Sequence, residues 1–493
     1  MANQPLRIYL AATILIAVVG FYVFSHINRD NDRFSGHRGR TVSKFDIPFT
    51  RFMGAETLRL ASSDELVEEV MRVIAQNGLP ADVFVDDTRL PLEERRRRRD
   101  LEPPPPLPPN IAITLHDLFY VYYDSTTPEN TPEKLALEEL WNASPIGEWN
   151  IDEQTLDSVR TILARFEPKR QTIRTMLLEQ NPRFYFIFIY PETLGAFQDV
   201  RVQKNTEASR YLSDYALLEE YAIAQALLDG NIAEAINALA FTFRIAQLAS
   251  NIGNVAARSD AALVRLRAFN VMQRVILDPN FERIHMVALR SMLSEQYEDW
   301  TSEYITWFGD RASGIILYHR ILQNGMRDDG LEDILEETVL YELDKHVPRN
   351  IFLLGFKTYH EADQTFYLRS MQKILDVSDE LFVRRLDVLR QISDELYRMG
   401  GMYDEQGIAM DPFVAHMLLK DIEPLMRIFA MDESALHRTL ALMHQSLERR
   451  NTDHYRDPFT AEPFEVHSED GLLSILSPPL PRAFRVPVFV GKE

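Results

Sequence analysis

The chain has 493 residues, 46% of them apolar, enough to bury a large core in more than one packed unit and too many for a chain disordered throughout. Its formal charge of -21 excludes a nucleic-acid partner, because a phosphate-binding surface needs a basic excess that only short local patches supply here. With no cysteine in the chain, thiol catalysis and cysteine metal sites are excluded as well.

Residues 1-7 are a short amino tail. The uncharged run from Ile8 to Phe24 then predicts a transmembrane helix over residues 8-25, at the short end of what a bilayer crossing requires. His26-Ile27-Asn28-Arg29 follows in place of a small-x-small cleavage pattern, so the run reads as an uncleaved single-pass anchor in a bacterial cell membrane. Arg29, Arg33, Arg38, Arg40 and Lys44 after the span, taken alone, place the body in the cytoplasm. A short amino tail before a single span is commonly retained inside, and on that ground the soluble body is expected to be extracytoplasmic.

Residues 26-61 form a polar tether. Ser62 and Glu65 have capping-box spacing before Leu66, Val67, Val70 and Ile74, which opens a short helical segment over residues 62-92 with a stop at Asn77-Gly78-Leu79-Pro80. Residues 93-110 carry Arg95 to Arg99 and Pro103 to Pro106. Proline removes amide donors and fixes φ, so this is a semi-rigid spacer, and a solvated linker outweighs a lipid-headgroup contact or a docking ligand. Residues 111-200 read as a mixed, mainly helical subdomain. Within it, Phe184 to Tyr190, closed by Pro191, is either a strand or a buried extended segment lying across helices.

Residues 201-450 are the expected helical core. Leu217, Tyr221, Ala224 and Leu228, then Ala235, Leu239, Phe243 and Leu248, recur at helical steps and give each of two helices one apolar stripe. Between them, Gly230 suits a left-handed C-cap and Asn231 an N-cap. The segment Ala226 to Ala246 resembles the turn and second helix of a tetratricopeptide unit, with Ala235 and Ala238 where helices approach closely. No second copy follows at a fixed period, which implies irregular stacked hairpins. Asp278-Pro279-Asn280 interrupts the pattern, and Phe281, Ile284 and Val287 resume it, with Met292 and Leu293 further along. Gly309-Asp310-Arg311-Ala312 permits close helix contact, and the charged pair needs partners if buried. Residues 364-398 and 411-450 continue as amphipathic helices.

Catalytic signatures are weaker. The chain carries no phosphate-cradling glycine loop, no G-x-S-x-G elbow and no H-E-x-x-H. His437 and His444 share a helix face but stand about 10 Å apart along its axis, too far for one metal ion. His360, Glu361 and Asp363 cluster at an expected helix start, where acids favour the positive end of the dipole, and this reading outweighs metal or acid-base work. Glu336, Glu337, Glu342 and Asp344 read as a solvated helix face. No catalytic, cofactor-binding or metal residue is assigned.

Residues 451-493 form a proline-rich tail. Asp457-Pro458-Phe459-Thr460-Ala461-Glu462-Pro463 resembles a D-P-[FW]-[ST]-G-x-P box found near the end of uncharacterised bacterial proteins with one N-terminal membrane anchor and an all-helical body. With the central helices and the Gly309-Asp310-Arg311-Ala312 segment, the resemblance covers roughly residues 205-466 by pattern. Ala461 stands where that box has glycine. A similar box occurs in major pseudopilins of type II secretion, whose amino-terminal processing motif is missing here. Asp457, Glu462 and Glu465 suggest a hard-cation loop, against a proline-punctuated turn that packs Phe459 and Phe464 onto the helices. Beyond the box, Pro478, Pro479, Pro481 and Pro487 predict an extended, loosely attached end.

The fold expected is all-α, irregular stacked helical hairpins, tetratricopeptide-like in part, behind an N-terminal transmembrane helix. The function expected is a protein-binding or scaffold module at the cell envelope, with the membrane and a protein as partners and no cofactor. A hydrolase with an acidic or metal-assisted site between helical units is the alternative.

Overall fold

The computed structural model describes residues 153–179, 211–250, 255–298, 349–398, 422–448 and 453–489, with scattered positions among 111–115, 300–314 and 415–419. The anchor, the tether, the Arg/Pro-rich linker, residues 184–190 and the acidic run from 336 to 344 lie outside the described residues. Eight helices are described: α1 (Glu153–Leu177), α2 (Tyr211–Leu228), α3 (Ile232–Ser250), α4 (Val255–Ile276), α5 (Arg283–Glu298), α6 (Arg349–Asp376), α7 (Phe382–Arg398) and α8 (Ile422–Glu448). Three short strands follow, β1 (His467–Glu469), β2 (Leu472–Ile475) and β3 (Phe484–Pro487). The chain is mostly helical, as expected.

Two compact units divide the chain. The described part of the first comprises residues 349–369, 394–398, 415, 418 and 419. In it the Asp363 carboxylate is buried and accepts the Ala415 amide at 2.8 Å.

The second unit holds the other described residues. Its α2–α3 hairpin turns where the sequence places the turn. Gly230 takes φ 69°, and the Asn231 side chain accepts the Glu234 amide at 3.1 Å, capping α3. Ala235 and Ala238 are fully buried, which lets α3 lie close to its neighbours α2 and α4. Leu228 is a correction: at the last position of α2 it is exposed, because the stripe runs out where the helix ends. Among the described residues, α3 is long and apolar enough to cross a membrane, yet most of it is buried, so core packing accounts for its composition.

Two apolar clusters meet along α2, α3 and α4. One joins α1 to the first halves of α2 and α4 and the second half of α3, and the other joins the opposite halves to α5, α8 and the carboxy-terminal strands. In α5 the buried stripe is Met286, Leu289 and Leu293, whereas Ile284 and Val287, expected to resume the core pattern, face solvent. Both sets fit helical spacing, and packing selects the first.

The largest correction concerns the tail. Residues 467–487 fold into an antiparallel sheet of order β1-β2-β3, with Leu473, Ile475, Phe484 and Val486 buried against the helices. Asp470 and Gly471, at φ 51° and 76°, form the two-residue turn between β1 and β2. The tail is part of the core, and the fold is helical with one small sheet.

Candidate functional site

The densest set of buried ionisable groups lies where α4, α7, α8 and residues 300–308 converge. Arg265 of α4 grips Asp432 of α8, with Nε 3.2 and 3.0 Å from its two oxygens and Nη2 2.5 Å from Oδ2, while the Trp300 ring lies 3.9 Å from the guanidinium. Arg385 of α7 pairs with Glu303 and, at 3.3 Å, with Glu433; Glu303 also accepts the Trp307 indole N–H at 3.1 Å. Arg258 of α4 stands 5.4 Å from the Phe429 ring and donates to the Ser302 carbonyl at 3.4 Å.

Three guanidinium groups thus face three carboxylates. Burial pushes Asp432 above the usual carboxylate range, against the opposing pull of Arg265. Burial also raises Glu433, and it lowers Arg258 to about 10. Burial alone would lower Arg385 too, but Glu303 and Glu433 outweigh it and hold its pKa up. Each carboxylate is committed to a guanidinium, so the cluster is suited to fixing helices rather than to carrying protons to a substrate.

A second centre clamps α1. Glu219 of α2, fully buried, accepts Arg170 at 3.0 Å, Arg174 at 2.9 and 2.5 Å, and the Tyr215 hydroxyl at 2.7 Å. Arg174 continues to Glu234 of α3 at 2.9 Å and lies 4.7 Å from the Phe241 ring. Burial, and then the Glu219 charge, push the Tyr215 phenol well above its ordinary value.

The tail box is a structural turn. Asp457 is buried; its Oδ1 accepts the Phe459 amide at 3.0 Å and its Oδ2 the Ser477 hydroxyl at 2.5 Å, and Ser477 bonds Ser434 of α8 at 2.9 Å. The Ala461 amide closes the turn on the Asp457 carbonyl at 2.8 Å, with Ala461 at φ 64°. In this chain residue 461 takes positive φ, a conformation that an alanine adopts only under strain. Phe459 packs edge-on against Phe382 with centroids 5.1 Å apart, and Phe464 packs against the core, as expected. The hard-cation reading fails on geometry: Asp457 spends both oxygens internally, whereas Glu462 and Glu465 point to solvent.

Of the other candidates, His360, Glu361 and Asp363 lie well inside α6, which starts at Arg349, so the expected helix start is wrong. Asp363 serves the backbone of residue 415. The side chains of His360 and Glu361 lie outside the described residues. His437 and His444 do share a face of α8, and the Tyr455 ring lies beside both, at 6.0 and 5.8 Å, with Tyr297 5.8 Å and His454 3.9 Å from it. The His437 Nδ1 lies 3.0 Å from the Arg456 carbonyl, a bond that ties α8 to the tail. Among the described residues no group of three His, Asp or Glu is placed to hold a metal ion. Arg311 finds Gln372 at 3.2 Å and the Phe308 ring at 5.1 Å, and burial raises Asp310 to about 7. A small crevice of about 10 Å³ lies between α2, α3 and α4 beside the Glu220–Arg267 ion pair. Sequence reasoning missed both charge centres, whose partners are far apart along the chain.

Comparison with family models, with curated proteins and with solved structures returns no match.

Proposed function

We propose that this chain is a membrane-anchored helical scaffold of the bacterial cell envelope, tethered through residues 8–25, that holds a protein partner near the bilayer. The observation that carries the reading is the use made of the buried charges. Glu219, Glu303 and Asp432, the kinds of group a hydrolase would deploy, are each clamped by arginines from another helix. Such clamps hold helices in one arrangement and suit a rigid presenting surface. The tetratricopeptide-like hairpin α2–α3, the extracytoplasmic placement and kinship with the anchored, box-bearing helical proteins belong to the same reading.

The test is photo-crosslinking in cells from surface positions of the full-length membrane protein. The expected result is a reproducible adduct with another protein, formed on the outer face of the membrane. Crosslinks that stay within the chain at every position would sink the scaffold reading.

A further inference from the structure

α5 carries two apolar stripes where packing uses one. Met286, Leu289 and Leu293 are buried, whereas Ile284 is 70% and Val287 42% exposed. β-Branched residues lose rotamer freedom in a helix, so neither conformational preference nor core packing accounts for aliphatics on the outer face. This second stripe begins where two turns meet: a side chain at Gly230 of the α2–α3 turn would lie 3.9 Å from the Asn280 amide of the α4–α5 turn. At those turns Leu228 and Leu277 are also exposed, at 58% and 43%. Single exposed aliphatics are ordinary, but four of them on two adjoining turns and the helix leaving one of them make a patch.

The charge at this end is acidic in balance, although Arg160 of α1 reaches Gln225 at 2.8 Å. Asp229, Asp278 and Glu282 stand against Arg283. Two of these carboxylates are held in place: Asp229 accepts the Gln225 side-chain amide at 2.8 Å and Asp278 the Asn280 backbone N–H at 2.8 Å. An apolar patch with an acidic rim is complementary to a helix bearing aliphatic residues on one face and cations beside them.

We propose that this end of the helical body docks a basic amphipathic helix of a protein partner, its aliphatic face on Ile284 and Val287 and its Lys or Arg side chains against the acidic turns. The proposal rests on the scaffold reading and names its docking surface. It is tested with full-length protein in uncharged detergent and labelled model peptides, one Leu/Lys and one Leu/Glu, both with helical amphipathic spacing, followed by fluorescence anisotropy with protein-free micelles subtracted. The Leu/Lys peptide is expected to bind in a salt-sensitive way. Ile284→Ser with Val287→Ser should weaken it about tenfold, the scale of two lost aliphatic contacts. Asp278→Asn with Glu282→Gln should weaken it and flatten the salt dependence. Ile284, Val287 and Glu282 are exposed and Asp278 is half-buried in its turn, and circular dichroism checks that both pairs leave the fold intact. No binding, equal binding of the Leu/Glu peptide, or binding unchanged by the Ile284/Val287 pair would overturn the proposal. If cellular crosslinks persist in that last variant, the patch is wrong and the scaffold reading stands; if no crosslink forms anywhere, the scaffold reading falls.

Discussion

Ala461 holds a left-handed conformation that costs an L-residue about 1–2 kcal/mol, because its Cβ crowds the following carbonyl. Glycine relieves that crowding at some cost in unfolded-state entropy, so Ala461→Gly is expected to stabilise by about 1 kcal/mol, and Ala461→Val to destabilise. Thermal melts of the three proteins decide it, and a lower melting temperature for the glycine variant refutes it. Asp432 argues in the other direction. Asp432→Ala strands the buried Arg265 guanidinium and should cost about 3–5 kcal/mol, while replacing both partners by apolar residues should cost far less, since a buried pair recovers little beyond its own desolvation. Denaturant unfolding of the single and double variants separates the two. At Asp310 the unfolded carboxyl ionises near its ordinary 3.8 and the folded one at about 7. The unfolded state therefore loses its proton first as pH rises. Stability should fall between about pH 4 and 7 and level off above, a slope that Asp310→Asn reduces. Melting temperatures that fall equally with pH in both proteins would count against this assignment.

The carboxy-terminal strands and α8 behave as one element. Ser434, Arg438 and Ser446 of α8 bond Ser477, the Arg482 carbonyl and the Pro487 carbonyl, and Phe489 returns its amide to the Ser446 carbonyl at 3.1 Å. Ending the chain after Glu448 would expose the α8 groove and leave these polar groups to water or to nothing. The expected outcome is loss of a cooperative helical melt; a truncated chain that melts like the intact one would show the tail to be dispensable. How much the sequence discloses differs by element. The α2–α3 hairpin was legible because its stop and start signals, Gly230 and Asn231, act locally. The sheet was not, because its strands are short and surrounded by prolines, although Asp470-Gly471 is a two-residue hairpin signal that could have marked it. The α5 face was ambiguous, since two stripes fit one period and only packing chooses. Arg265 and Asp432 were beyond reach, because nothing in one helix names a charge partner carried by another.

At the scale of the molecule, α3 and α4 contribute to both apolar clusters, so opening either cluster must disturb them. Their amides should exchange slowest, near the limit set by global unfolding, and mass-spectrometric hydrogen exchange can check this. Slower exchange in α7 than in α3 would mean that the hierarchy of stability has been misread. β3 closes against α4 and α8, so the apolar face of α4 that it covers, made just past the midpoint of the chain, stays open until residues 484–487 follow. A nascent chain of this kind is vulnerable through the later part of its synthesis, and a holding chaperone would matter most during that wait.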